Sequence, residues 1–158
     1  MSGNTNTDFT IDSNGTVITA RALDYETTPS YTLTVKSRDS SSPSNLQRHV
    51  NLEISIAVTP VNEHPPVFTS SSYTHNIQED TVIGTSLIRV TATDDDNGPQ
   101  GEVSYSLSSS SFYIDATNGI IRLKAALDRE STSSYSLMVT AHDNDPVTSD
   151  RKSANVTV

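Results

Sequence analysis

The chain has 158 residues, 19 of them acidic and 10 basic, for a formal charge of −9, and no cysteine. That charge repels phosphate backbones and excludes nucleic acid and anionic membrane surfaces as ordinary partners, while the missing thiols exclude disulfides, thiolate metal sites and cysteine nucleophiles. Apolar residues make up 33% of the sequence and Ser and Thr fill the shortfall, which predicts thin β layers in one domain or two small ones.

In chain order, the first element is the Phe9 segment, interrupted by a turn at Ser13-Asn14-Gly15. Alternating apolar residues then predict strands at Tyr31, Leu33 and Val35 and at Leu52, Ile54, Ile56 and Val58, with a turn between them at Ser40 to Ser44. Further strands are expected near Tyr73 to Ile77, at Ser86 to Ala92, and at Val103, Tyr105 and Leu107, the last preceded by an acidic turn from Asp94 to Gly98. Segments at Phe112, Ile121, Tyr135 to Ala141 and Asn155 complete the series, with a turn at Thr117-Asn118-Gly119. No window holds 3.6-residue periodicity for long, so the fold is expected to be nearly all β. No run reaches ~18 apolar residues and the start, MSGNTNTDFT, is neither basic nor apolar, so no segment inserts directly into a membrane. A secreted or membrane parent would make this chain a fragment shorn of signal and anchor.

The sequence repeats itself. FTIDSNGTVITARALDYE from Phe9 returns as FYIDATNGIIRLKAALDRE from Phe112, and YTLTVKSRD from Tyr31 returns as YSLMVTAHD from Tyr135. The offset is 104 residues, both from Asp24 to Asp128 and from Tyr31 to Tyr135, a length that suits sandwich domains laid end to end. The second copy holds seven strand segments. The first begins at the fourth of them, so residues 1–66 are expected to be the C-terminal part of one repeat plus a linker, and residues 67–158 a near-complete repeat. Four strands leave sheet edges and half a core exposed, which predicts a first repeat that is marginal alone or is completed by another chain or a swapped copy.

Several motifs fall in one order and spacing: Leu127-Asp128-Arg129-Glu130, echoed by Leu23-Asp24-Tyr25-Glu26; Asp94-Asp95-Asp96 followed by Gly98; Glu79 in IQED; Asp143 in AHD; and the linker Pro60-Val61-Asn62-Glu63-His64-Pro65-Pro66. In these the chain resembles the extracellular repeats of the cadherin family. The resemblance implies tandem Greek-key, immunoglobulin-like β-sandwiches of seven strands, the first truncated here, with calcium held between successive repeats. Calcium takes six to eight oxygens from carboxylates, amides and backbone carbonyls, and the motifs supply all three kinds at turns. Carboxylates brought within ~4 Å would repel by about 4 kcal/mol per pair at an effective dielectric near 20, so a metal-free junction should splay.

By the resemblance, one ion lies toward the second repeat, held by Asn62, the His64 carbonyl, Asp94, Asp96, the Gln100 carbonyl and Asp143. Ions nearer the first repeat would use Asp24, Glu26, Glu63, the Val61 carbonyl and Asp96, but the family's linker Asp is replaced by Pro60 and a first-strand Glu has no counterpart. One site near full strength and one or two weak ones are expected. Glu79, Asp128 and Glu130 form half a site for a linker beyond Val158. The implied role is calcium-dependent cell adhesion in the ectodomain of a single-pass cell-surface protein. Its partners would be other cadherin repeats, homophilic or heterophilic, with dimerisation or strand exchange open to the truncated repeat. With no Trp, tryptophan exchange of the kind associated with the family cannot operate from these residues. The alternative is a calcium-dependent carbohydrate-binding or spacer module of a larger extracellular protein.

Other chemistries find little support. An EF-hand counted from Asp94 puts Tyr105 where the bidentate Glu is required. His49, His64, His75 and His142 lack zinc-site spacing, and the Ser108 to Ser111 run contains no nucleophile elbow, so no enzyme is expected. Asn14-Gly15-Thr16 and Asn155-Val156-Thr157 are glycan acceptors if the chain is secreted, and Pro65-Pro66 restricts bending after the linker.

Overall fold

The computed structural model describes residues 1–4, 6–40 and 47–158; from Ser41 onward the turn expected at Ser40 to Ser44 lies outside them. The chain divides into two compact units, Met1–Pro60 and Val61–Val158.

In the first unit β1 (Phe9–Ile11) and β2 (Val17–Thr19) form an antiparallel hairpin. Asp12 shapes its turn: Oδ1 accepts the Asn14 and Thr16 amides at 2.9 and 2.8 Å, and Gly15 takes the left-handed φ of 87° that the tight return requires. β3 (Ser30–Arg38) and β4 (His49–Ala57) pair antiparallel, with Tyr31 opposite Ile56 and Leu33 opposite Ile54. Alternation turns Tyr31 and Leu33 inward, where they bury Phe9 and meet Val17, Leu23, Ile54, Ile56 and Val58.

The second unit repeats those two hairpins and adds to each. β9 (Phe112–Ile114) and β10 (Ile120–Leu123) correspond in sequence to β1 and β2, and β6 (Ser86–Arg89) pairs with the other edge of β10. β11 (Met138–Asp143) and β12 (Ser153–Thr157) correspond to β3 and β4, and β8 (Val103–Leu107) pairs with the other edge of β11. A short ladder joins β5 (Val67–Phe68) to β7 (Ala92–Thr93). Val90, Ala92, Tyr105, Phe112, Ile121, Leu123, Val139, Ala141 and Val156 form the core. The Tyr105 hydroxyl accepts the Ala92 amide at 2.8 Å, tying β8 to β7 across it.

The segment expected to be a strand near Tyr73 to Ile77 makes only a bridge at its start, Ser72 to Thr157. Tyr73 and Ile77 pack against the core, so their spacing records burial rather than a ladder. The expected Ser86 to Ala92 strand is split at Val90 between two ladders. Tyr135 and Leu137 precede β11; Tyr135 meets Phe112 edge-on at 5.1 Å, and Leu137 exchanges both backbone hydrogen bonds with Val158.

Candidate metal centre

At the end of β11 the period-two pattern that buries Val139 and Ala141 carries on to Asp143, leaving a carboxylate fully buried at the end of a core strand. Three other pieces of the second unit meet it. The acidic turn Asp94 to Asp96 follows β7, a 3-10 turn spans Gly98–Gly101, and the segment Asn62 to His64 lies alongside. Gly101 makes the turn possible, since a Cβ there would stand 1.8 Å from the Asp96 carbonyl oxygen. The Asn144 amide, donating to the Pro99 carbonyl at 3.2 Å, ties the 3-10 turn to the residues after β11.

The candidate ligands commit some polar atoms to protein partners and leave others buried and unpaired. Asp94 Oδ1 accepts the Asp96 amide at 3.0 Å, while its Oδ2 is buried without a partner. Asp96 Oδ2 accepts the amides of Glu63 and His64, each at 3.0 Å, while its Oδ1 is buried without a partner. Asn62 Nδ2 donates to Asp143 Oδ2 at 2.8 Å and to the Asp150 carbonyl at 3.0 Å. Two acceptors on that side fix the amide orientation and turn Oδ1 the other way, where it too is buried and unpaired. Gln100 Oε1 is a fourth such oxygen.

A buried oxygen without a donor carries its full desolvation cost, and the four on Asn62, Asp94, Asp96 and Gln100 are acceptors that a cation would satisfy. Burial pushes the Asp94 carboxyl above the ordinary carboxylate range; the Asp96 amide opposes this, and the Asp96 and Asp143 charges add to it. All donors are hard oxygens with none of the nitrogen or sulfur that zinc favours, so the set fits calcium.

Asp143 differs from the others. Its Oδ1 accepts the Asp145 amide at 3.1 Å, and its Oδ2 accepts the Lys152 amide at 2.6 Å as well as Asn62. Burial pushes its carboxyl up, but Asn62, the two backbone amides and the Arg151 charge outweigh that and hold it below the usual range. At Gln100 the side-chain oxygen is left unpaired, where the resemblance implied the main-chain carbonyl as the ligand.

The second acidic group is looser. Glu79, Asp128 and Glu130 are exposed, with oxygens within 4.8 Å of one another, the one such group among the described residues. Glu79 Oε2 accepts the Arg129 amide at 2.9 Å, and Asp128 is occupied by the Ser131 hydroxyl at 2.6 Å. In the first unit Asp24 is held the same way by the Thr27 hydroxyl at 2.6 Å, and Glu26 Oε1 is buried without a partner. The Glu63 and His64 side chains and Val61 are exposed; the structure uses the first two through their amides. Sequence reasoning missed Lys152, whose ammonium donates to the Asn62 carbonyl at 2.7 Å, and the buried Asp145, for which Asp143-Asn144-Asp145-Pro146 was the available turn signal.

Residues 1–57 and 73–158 match the family model "Cadherin domain". The chain is 39% identical over 144 residues to Protein dachsous of Drosophila melanogaster, covering 89% of this chain and 4% of that protein. It is 39% identical over 148 residues to Cadherin EGF LAG seven-pass G-type receptor 2 of Homo sapiens, covering 90% and 5% respectively. The chain therefore spans only a small part of the curated relatives it matches. Among solved structures, mouse cadherin-23 EC22-24 superposes with a TM-score of 0.86 at 33% identity, over 95% of this chain and 48% of that one. The repeated hairpins, the sandwich core and these matches place the chain in the cadherin family, as tandem all-β cadherin repeats.

Proposed function

We propose that this chain is a calcium-dependent piece of a cell-adhesion ectodomain, comprising part of one repeat with its linker, residues 1–66, and a near-complete repeat, residues 67–158. Cadherin repeats are generally calcium-binding, and the observation that carries the reading is the set of four partnerless buried oxygens on Asn62, Asp94, Asp96 and Gln100. Bound calcium would supply the positive charge that the crowded Asp94 and Asp96 carboxylates lack. Asn62 and Asp143 hold the linker against the sandwich, Asp96 fixes the Glu63 and His64 amides, and Asp94 is aimed by the Asp96 amide. Asp24, Glu26, Glu63 and the Val61 carbonyl are the proposed donors for weaker ions nearer the first repeat, and Glu79, Asp128 and Glu130 those for a following linker. The His64 and Gln100 main-chain carbonyls complete the proposed shell. Calcium would rigidify the joint between repeats, and the parent protein would present it outside the cell to other cadherin repeats. Strand edges of the first repeat that carry no ladder among the described residues make it the place for dimerisation or strand exchange.

Calorimetric titration tests this. One strong calcium site is expected, weakened at least tenfold by Asp94→Ala, in line with loss of a buried ligand. At calcium ten times its dissociation constant the strong site adds roughly 1.4 kcal/mol to the folded state, so chelation lowers the melting temperature. Melting indifferent to chelator, or three equally tight sites, would overturn the assignment.

A further inference from the structure

We infer that Lys152 is a positioning residue that docks the Asn62 to His64 linker onto the second unit before any metal arrives. Its ammonium donates to the Asn62 carbonyl at 2.7 Å across 90 residues of sequence. Its backbone amide donates to Asp143 Oδ2 at 2.6 Å, the oxygen that also accepts Asn62 Nδ2. One residue thus grips Asn62 twice, directly at the carbonyl and through the carboxylate that orients the side-chain amide. The Asp150 carbonyl, two residues before Lys152, takes the other Asn62 Nδ2 bond. One step along, the Glu63 and His64 amides close on Asp96 Oδ2.

None of these bonds uses Asn62 Oδ1, Asp94 Oδ2, Asp96 Oδ1 or Gln100 Oε1, the atoms left unpaired. The linker is therefore held by one set of atoms while another set stays available. That separation gives Lys152 its role: it satisfies a linker carbonyl that would otherwise wait for solvent, and it fixes the direction in which Asn62 Oδ1 points. The compact unit that begins at Val61 contains Asn62 to His64, as this docking requires. In a metal-free chain Asn62 to His64 then stay in place. In calcium binding, a lysine that only added positive charge would oppose the ion, whereas a lysine that pre-orients Asn62 favours it. The two roles have opposite signs.

The docking itself needs no metal, while its effect on affinity rests on the calcium reading, so the test reads both. Amide hydrogen exchange of the wild-type chain in EGTA should show Glu63 and His64 exchanging at least about tenfold more slowly than exposed loop amides. Lys152→Met, which keeps the aliphatic stem, should bring those two amides to loop rates and weaken calcium binding about tenfold, the scale for loss of an outer-shell partner. Lys152→Arg, which keeps a cationic donor, should restore both. Glu63 and His64 unprotected in EGTA would overturn the inference without any substitution. So would a folded Lys152→Met chain with protection intact, or one that binds calcium more tightly than wild type. If calcium does not bind at all, the exchange rates in EGTA still decide whether Lys152 docks the linker.

Discussion

Asp8 is only 3% exposed at the margin of the first unit's core, and its two oxygens are taken by different partners. The Arg21 guanidinium pairs with Oδ1, and the Tyr31 hydroxyl donates to Oδ2 at 2.9 Å. The Arg21 hydrogen bond pulls the carboxyl below the usual carboxylate range, with help from Tyr31 and against the push of burial. A folded-state value below 3.8 means that the unfolded chain takes up its proton first. The resulting stabilisation is complete above the unfolded value and disappears as pH falls through the folded one. Acid unfolding of the first unit should therefore steepen below about pH 3.8. Asp8→Asn should lower stability at neutral pH and flatten that acid limb, which circular dichroism against pH would read. A second prediction concerns Gly101. Its missing Cβ admits the Asp96 carbonyl, and the obstruction facing a new methyl group is backbone, so no rotamer relieves it. Gly101→Ala should displace the Asp96 turn and weaken calcium binding about tenfold or more while the β-sheet circular dichroism persists.

Strand β10 shows what holds an element in place. It lies between β6 and β9, with Ile121 and Leu123 facing the core and Leu123 fully buried. Leu123→Ala should cost about 2–5 kcal/mol, measurable by denaturant titration of the second unit. The hairpins were legible in the sequence because apolar segments and turn residues coincide in them: Ser13-Asn14-Gly15 in one copy, Thr117-Asn118-Gly119 in the other. The Tyr73 to Ile77 stretch misled because a spacing that marks core-facing residues does not specify hydrogen bonds. Tyr73 is fastened instead by its amide on the Thr157 carbonyl and its hydroxyl on the Thr91 carbonyl. The acidic motifs were legible as well, since each is a local turn with a fixed spacing. Lys152 was not, because its significance lies in one carbonyl 90 residues earlier and nothing in the run Asp150-Arg151-Lys152 signals it.

At the scale of the molecule the two copies of one pattern differ in what flanks them. β10 and β11 each have strands on both sides, whereas their counterparts β2 and β3 each pair with one named strand, and among the described residues the other edge of β3 meets only a bridge from Ser2 to Thr34. The smaller core of Phe9, Tyr31 and Leu33 reflects the same difference. The first unit should melt before the second in differential scanning calorimetry, giving two transitions in EGTA. Leu33→Ala, at a fully buried position, should move the lower transition by about 2–5 kcal/mol and leave the upper one in place. A first unit completed by another copy would instead show a lower transition that rises with protein concentration.

The burial of Asp143 at the end of β11 determines how tension would enter the second sandwich. Asn62 is fastened to that carboxylate, and β11 is the middle strand between β8 and β12. A pull on Asn62 is therefore shared between the backbone that runs on to β5 and a hydrogen bond into a strand with a ladder on each side. Through Asp143 that second path reaches both ladders of β11 together, and the sheet has no free edge at the point of attachment.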